Sequence, residues 1–328
     1  MLKRLIMPAL FLAGIALATL LAVKAGVAPT LHAIAAIGWG GLAEVCLLQA
    51  LSLAVCAAAW WVVADGASFI ACCAARWIRD GGSNLVGFIP AIGEGISARA
   101  LTVFGSSAGG AAAATIVDVA VEALAQAIYT VAAFALLLPH LNLVQTPQWT
   151  LIVALSVIPV LAMFAVTRHA GALRWLEGLG LKFAKLLGVE GGEGGFNLAE
   201  TVHGIYRRRG RIAAALGLHL VAWAVGAAQV WVAALAMPHP VSIADSIALA
   251  GLVAAARSAF FLVPWAAGVQ EGGFLLVGAA LGLPASEAIA LSLILRARDI
   301  LIGAPAILLW YVAEGRRSLG RRASAEAS

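Results

Sequence analysis

The chain has 328 residues, of which 63% are hydrophobic and only 11% are charged, and its formal net charge is +5. A soluble domain carries about 25% charged residues, so the composition excludes a water-soluble fold and predicts an all-α, polytopic membrane protein with a single transmembrane domain over residues 1–328. The basic residues lie mostly at the ends of apolar segments, where they meet lipid headgroups, and this excludes a nucleic-acid partner.

Six apolar segments approach the length of about 20 residues that a membrane-spanning helix needs. The first follows Lys3-Arg4 and is expected to be an uncleaved span, because no small-residue cleavage site precedes a polar segment. The six predicted spans are residues 5–23, 42–64, 112–138, 149–167, 211–237 and 285–313.

Two further regions are apolar but interrupted, at residues 66–106 and 243–283. Each contains glycine, proline and charged residues near its middle, so each is predicted to be two short helices joined by an elbow. Neither half is long enough to be a comfortable span. The predicted hinge residues are Pro90, Gly93, Pro264 and Gly268.

Lysine and arginine predict the orientation in a bacterial inner membrane. They cluster before the first span, in the loop 168–210 and in the tail after residue 313, so these parts and both termini are expected to be cytoplasmic. The number of crossings between these parts is then even, which favours two re-entrant hairpins over the alternative of two full crossings in each interrupted region.

This arrangement predicts an inverted-topology repeat. A first unit at residues 42–138 and a second at residues 211–313 each contain a span, a broken region and another span, in opposite orientations. Inverted repeats with broken helices at corresponding positions are typical of transporters, whose substrate lies where the breaks meet. The alternative is that proline and glycine are simply frequent in transmembrane helices.

Nine ionisable side chains lie in or near the predicted spans and elbows. A charged side chain at the bilayer centre costs at least about 2.5 kcal/mol, so such residues usually line a polar cavity or pair with one another. A cavity that binds and transports a substrate is the favoured interpretation, and buried ion pairs that fix helix packing are the alternative, above all for Arg296 with Asp299. The nine predicted site residues are Glu94, Arg99, Asp118, Glu122, Arg257, Glu271, Arg296, Arg298 and Asp299.

The mixture of charges indicates the kind of substrate. Guanidinium groups offer a planar fork that matches phosphate, and nearby carboxylates suit a cationic group or a proton. A zwitterionic or phosphate-bearing lipid headgroup fits both, and proton coupling is compatible with it.

Motifs for cofactors, metals and catalysis are absent from the sequence. It contains no Walker A loop, no Gly-x-Ser-x-Gly and no His-Glu-x-x-His, and its six histidines have no ligand spacing. The four cysteines lie in apolar stretches and are expected to be small buried hydrophobes. We therefore expect a protein that is not an enzyme, with no cofactor and no metal. The alternatives are an intramembrane enzyme acting on a lipid-linked phosphate and an accessory partner of a lipid-biosynthesis enzyme.

The two elbows resemble those of a known family, the flippase-like transmembrane domain of lysylphosphatidylglycerol synthases and of stand-alone membrane proteins. The family's first elbow has Asn, then Pro-Gly-x-x-Gly-Glu, then Arg, where this chain has Asn84, Pro90-Ala91-Ile92-Gly93-Glu94 and Arg99. The second has Pro-Gly-Gly-x-Gly-x-x-Glu, where this chain has Pro264-Trp265-Ala266-Ala267-Gly268-Val269-Gln270-Glu271. The glycines after proline are replaced in both elbows, so elbow flexibility is expected to differ.

Within this family the chain is most similar to the hopanoid-associated HpnL-type proteins. The resemblance rests on Asp118 and Glu122, which replace the family's Glu-Arg…Asp pattern, and on Gly268-Val269-Gln270-Glu271-Gly272-Gly273 and Arg296-Ala297-Arg298-Asp299. It implies movement of a membrane lipid between leaflets, with hopanoid-related or polyprenyl-phosphate-linked lipids as candidates. No synthase domain accompanies these motifs, so aminoacyl transfer is not expected.

Overall fold

The computed structural model of the protein describes residues 2–85, 92–141, 198–260 and 263–326, and the isolated residues 150, 154 and 158. Its side chains are described except at residues 2–11, 92, 94, 199 and 315–326. The described residues are mainly helical and contain no strand, so the predicted all-α class is confirmed. In chain order the helices are α1 Leu2–Ala25, α2 Val27–Val63, α3 Phe69–Leu85, α4 Ile92–Val103, α5 Ala108–Leu137, α6 Leu198–Arg207, α7 Arg209–Leu235, α8 Ile243–Ala259, α9 Val269–Ala280 and α10 Ala285–Glu326.

Three stretches of the described chain are long and apolar enough to cross a membrane: Val27–Val63, Ala108–His140 and Arg209–Leu235. Three predicted spans fall on them. The predicted spans 5–23 and 285–313 lie in α1 and α10, and the predicted span 149–167 lies almost wholly outside the described residues. The chain is therefore an all-α membrane protein.

Helix α2 is longer than the span predicted within it. Its backbone leaves the helical region at Gly38, where φ is 60°, so residues 27–37 form a helical segment that the sequence analysis did not assign. Glycine tolerates this left-handed conformation because it has no Cβ.

The helices on either side of α6 repeat one pattern of lengths. A long helix is followed by a helix of 17 residues, one of 12 residues and another long helix, first as α2 to α5 and then as α7 to α10. At a rise of 1.5 Å per residue, a 17-residue helix is about 25 Å long and falls short of the hydrocarbon core of about 30 Å. The two interrupted regions of the sequence thus correspond to two pairs of short helices.

The turn from the short helix into the last helix is the same in both units. Gly105 follows α4 and Gly282 follows α9, both with positive φ. The next residue donates its backbone N–H to a carbonyl five residues earlier, from Ser106 to Leu101 at 2.9 Å and from Leu283 to Gly278 at 2.8 Å. This is the Schellman arrangement, which favours glycine at the left-handed position.

The two units also correspond residue by residue along the sequence. The interval from Gly105 to Gly282 equals the interval between the starts of α4 and α9 and between the starts of α5 and α10. The same interval relates Glu94 to Glu271, each the third residue of its helix, and Glu122 to Asp299. The two units therefore carry acidic residues at matching positions.

Helix pairings are exchanged between the two units. Helix α3 packs on α10, and its counterpart α8 packs on α5. Helix α2 contacts α10 as α7 contacts α5, and the two first helices, α2 and α7, pack on each other. Exchange of this kind is what a two-fold relation between the units produces.

Glycine lies at both of the exchanged crossings. A Cβ on Gly81 of α3 would come within 2.9 Å of the Gly303 carbonyl oxygen on α10, and a Cβ on Gly251 of α8 would come within 2.5 Å of the Ala133 Cβ on α5. Small residues let helix backbones approach closely where apolar burial gives no preference between protein and lipid.

Gly81→Val is predicted to lower the free energy of unfolding by about 1–3 kcal/mol, the usual cost of overpacking, because the new side chain meets the backbone of α10. Thermal unfolding in detergent measures it. Gly217→Val is the matched control, since a Cβ there has no neighbour within 4 Å. Equal melting temperatures for the two variants would contradict the close crossing.

Candidate functional site

A polar cavity of about 520 Å³ lies among the helices of both units. Its lining comes from α2, α3, α5, α7, α8, α9 and α10 and from the elbow between α8 and α9. The titratable lining residues are Cys56, Arg76, Arg79, Asp80, Glu122, His219, Arg257 and Arg298. Four arginines inside an apolar bundle require polar or charged partners.

The first group of charges joins α3 to α5. Arg76 and Arg79 are three residues apart and share a face of α3, and Asp118 and Glu122 are four apart and share a face of α5. The two terminal nitrogens of Arg76 donate to the two oxygens of Glu122 at 3.0 and 2.5 Å, and Arg79 donates to Glu122 at 2.8 Å. Asp80 lies 3.1 Å from Arg76 Nε. The bidentate pairing of Arg76 with Glu122 is among the strongest interactions that side chains form.

Asp118 links this group to α7. Its Oδ2 is 3.5 Å from Arg79 Nη1, and its Oδ1 is 3.0 Å from His219 Nε2. Asp118 and His219 are each only 1% exposed. The sequence analysis treated the six histidines as scattered, and the fold brings this one into the charged group.

A second group of charges closes the elbow before α9. Arg296 donates from Nε and Nη2 to the two oxygens of Glu271, at 2.6 and 3.0 Å. Glu271 also accepts the backbone N–H of Gly268 at 2.9 Å, which satisfies a free donor at the start of α9. Ser292 donates to Glu271 at 3.2 Å. One buried carboxylate thus caps α9 and binds α10.

The elbow itself has an unusual backbone. Trp265 and Ala266 have positive φ values of 60° and 46°, a conformation that side chains with a Cβ rarely adopt. These are the two positions where the resembled family has glycine. Arg296 compensates for the missing glycines, because it donates to the carbonyls of Trp265 and Ala266 and its guanidinium lies 4.6 Å from the centre of the Trp265 ring. These contacts stabilise the left-handed backbone at Trp265 and Ala266.

One predicted ion pair is corrected. The alternative that Arg296 pairs with Asp299 is wrong, because Arg296 binds Glu271 and Asp299 instead accepts from Arg298 at 2.6 Å. Arg298 also donates to Gln229 of α7. Residues 296 and 299 share a helix face, but Glu271 approaches that face from α9.

Arg257 differs from the other lining arginines. It donates to Asn84 Oδ1 at 3.1 Å, and among the described side chains no carboxylate oxygen lies within 4.0 Å of it. Asn84 is the asparagine of the first elbow motif and Arg257 belongs to α8. The contact joins the broken regions of the two units at the cavity wall.

The nine predicted site residues divide by position. Glu122, Arg257 and Arg298 line the cavity, and Asp118, Arg296 and Asp299 bind residues that line it. Glu271 does not line the cavity and binds Arg296. Arg99 lies elsewhere and pairs with Glu314 of α10 at 2.6 Å. The Glu94 side chain is not among those that the structure describes.

The four predicted hinge residues have different environments. Gly93 packs against α3, where a Cβ would collide with Ser83 Oγ. Gly268 precedes α9 with a φ of 77°, and Pro264 opens a short 3₁₀ turn. Pro90 lies outside the described residues.

The sequence analysis missed Arg76, Arg79, Asp80 and His219 as site residues. The spacing of Arg76 and Arg79 within 66–106, on one helix face, was an available signal. His219 lies inside the predicted span 211–237, and a titratable residue in a span is itself a functional signal.

Cys56, Glu122 and His219 have side-chain atoms within 4.8 Å of one another. Their types suit a metal, but both Glu122 oxygens already accept from guanidinium groups. A cation bound there would lie against two fixed positive charges, so the arrangement favours ion pairing. The four cysteines are free, and Cys56 and Cys72 are buried, like small apolar residues.

Outside the membrane-spanning segments, Asp65 anchors a charged group at the turn after α2. It accepts from Arg208 at 2.6 Å and from Arg211 at 2.7 Å. Partial burial raises the pKa of Asp65, but these hydrogen bonds outweigh burial and hold the pKa below its usual value.

Glu271→Ala and Arg296→Ala are each predicted to cost about 3–5 kcal/mol of stability, because either change leaves a buried charge without its partner. The double variant is expected to lose much less than the sum. A double-mutant cycle from unfolding in detergent measures the difference. The exposed pair Asp65 and Arg208 is the control, with an expected cycle energy below about 1 kcal/mol. Additive losses for Glu271 and Arg296 would contradict the pairing.

Comparison with known proteins agrees with this description. Residues 9–306 match the family described as lysylphosphatidylglycerol synthase TM region. No curated protein and no solved structure matches the chain. The HpnL-type subgroup stays a prediction. Since the match spans most of the chain, the protein belongs to the lysylphosphatidylglycerol synthase TM region family and is a membrane protein involved in lipid handling.

Proposed function

We propose that the protein is a flippase that moves a lipid with a phosphate-bearing headgroup between the leaflets of the bacterial inner membrane. The observation that carries the proposal is the cavity of about 520 Å³, lined by four arginines within an apolar bundle. A headgroup enters such a cavity while its acyl or polyprenyl chains stay in lipid. The family's role in lipid handling supports this function.

Arg257 is the proposed contact for the phosphate. The other lining arginines already bind carboxylates, whereas Arg257 has an amide partner and no carboxylate oxygen within 4.0 Å among the described side chains. A phosphate oxygen would give Arg257 a direct anionic partner, and a guanidinium can bind two phosphate oxygens at once.

An inverted repeat would give the protein its two access states. Support comes from the matching helix lengths, the matching Schellman turns and the exchanged pairings of the two units. In this proposal the short helix pairs are re-entrant hairpins from opposite faces, both termini are cytoplasmic, and the units rock around the shared cavity. Hopanoid-related and polyprenyl-phosphate-linked lipids are the proposed cargo.

The proposal includes no chemical change in the lipid. The carboxylates Asp80, Asp118 and Glu122 lie beside guanidinium groups or His219, which supports a binding role over catalysis. An enzyme acting on a lipid-linked phosphate would leave an altered lipid, and mass spectrometry after incubation would detect it.

Arg257→Gln is predicted to slow leaflet exchange at least about tenfold, since a hydrogen bond to a charged group contributes about 1.5–3 kcal/mol. The assay follows a fluorescent phosphate-bearing lipid in liposomes that contain the purified protein. Glutamine can still bind Asn84, so the variant tests the charge with little effect on packing.

Arg208→Gln serves as the matched control, because Arg208 is half exposed and bonded to Asp65 away from the cavity. It should exchange lipid at the rate of the unsubstituted protein. Equal exchange by the Arg257 variant, or chemically altered lipid, would contradict the proposed function.

A further inference from the structure

His219 has a buried nitrogen that the proposed transport path does not use. The side chain is 1% exposed and lines the cavity, and its Nε2 is bonded to Asp118. Its Nδ1 is buried and has no hydrogen-bond partner among the described residues. A buried polar atom without a partner is costly and calls for an explanation.

Titratable groups face His219 from the elements around it. Helix α5 supplies Asp118 and Glu122, and α2 supplies the Cys56 thiol. Arg257 of α8 and Arg298 of α10 line the same cavity. The cavity is not lined by the titratable residues of α6, which are Glu200, His203 and Arg207. Helix α3 contributes Arg76, Arg79 and Asp80. Arg79 contacts Asp118 and Glu122, and Asp80 contacts Arg76.

Among the described side chains, the charges that line the cavity or contact its lining balance when the imidazole is neutral. Apart from the pair of Arg296 with Glu271, the positive charges are those of Arg76, Arg79, Arg257 and Arg298, and the negative charges are those of Asp80, Asp118, Glu122 and Asp299. An anionic headgroup would add one negative charge, and a proton on His219 would compensate it. The Nε2–H would still donate to Asp118, and the Cys56 sulfur and a Glu122 oxygen each lie within 4.8 Å of a ring nitrogen.

We propose that His219 is a proton-binding site coupled to headgroup binding, so that the anionic headgroup and the proton occupy the cavity together. This inference rests on the proposed function. An anion in the cavity favours the imidazolium, and by thermodynamic linkage the imidazolium favours the anion to the same extent. The proton enters from the water on one side of the membrane and leaves with the headgroup on the other.

The test is the pH dependence of binding of a short-chain phosphatidylglycerol, whose phosphodiester charge does not titrate near neutral pH. Affinity is expected to fall as the pH is raised from about 6 to about 8, because fewer protons are then available to bind with the headgroup. One linked proton sets a limit of about tenfold per pH unit. Calorimetry in buffers with different ionisation enthalpies should show proton uptake on binding.

His219→Gln should bind with less than about twofold change over the same range, which is well below the single-proton limit, and without proton uptake. Its amide can still donate to Asp118, so folding is retained and is verified by the melting temperature. His239→Gln is the control, because His239 is mostly exposed, bonds Glu287 and lies off the cavity. It should keep the original pH dependence.

Binding that does not depend on pH, while Arg257→Gln still abolishes it, would overturn the proton site and leave the proposed function standing. Retained pH dependence in His219→Gln would also overturn it. Failure of the lipid to bind at either pH would contradict both proposals. Co²⁺ binding with a thiolate absorption band that disappears in Cys56→Ser would instead make these residues a metal site.

Discussion

The structure depends on the pairing of guanidinium and carboxylate groups inside an apolar helix bundle. Charges are expensive there, so buried charged side chains are held by partners, several of which lie on another helix. Glu122 on α5 holds two arginines of α3, and Glu271 on α9 holds Arg296 of α10. Since one group joins α3 to α5 and the other joins α9 to α10, these pairs fix how the short helices pack against the long ones.

This constraint has a consequence for the elbows. A broken helix leaves backbone groups without partners, which lipid cannot satisfy. At the second elbow Glu271 accepts the Gly268 N–H, and Arg296 binds two carbonyls in a left-handed segment. Glu271 and Arg296 neutralise each other, and they also bind backbone groups that the broken helix leaves without partners. The elbow is part of the cavity wall, because Trp265 and Ala266 line it.

Sequence patterns predicted the helical class and most of the elements, because apolar length and the Pro and Gly interruptions are local properties. The buried charges were also recognisable, since Glu122, Arg257 and Arg298 are conspicuous in apolar segments. Their partners were not, because pairing depends on which helices cross. Arg296 was matched with Asp299 on its own helix, whereas its partner, Glu271, lies on the preceding short helix. His219 was set aside for lack of a ligand motif, although Asp118 reaches it from another helix.

The central claim is that the cavity between the two units receives a lipid headgroup. A density map of the protein purified with its native lipids tests this most directly. We expect headgroup density against Arg257 and Asn84, continuing as hydrocarbon chains toward the surrounding lipid. A cavity that holds only water, with ordered lipid confined to the outer surface of the bundle, would contradict the account.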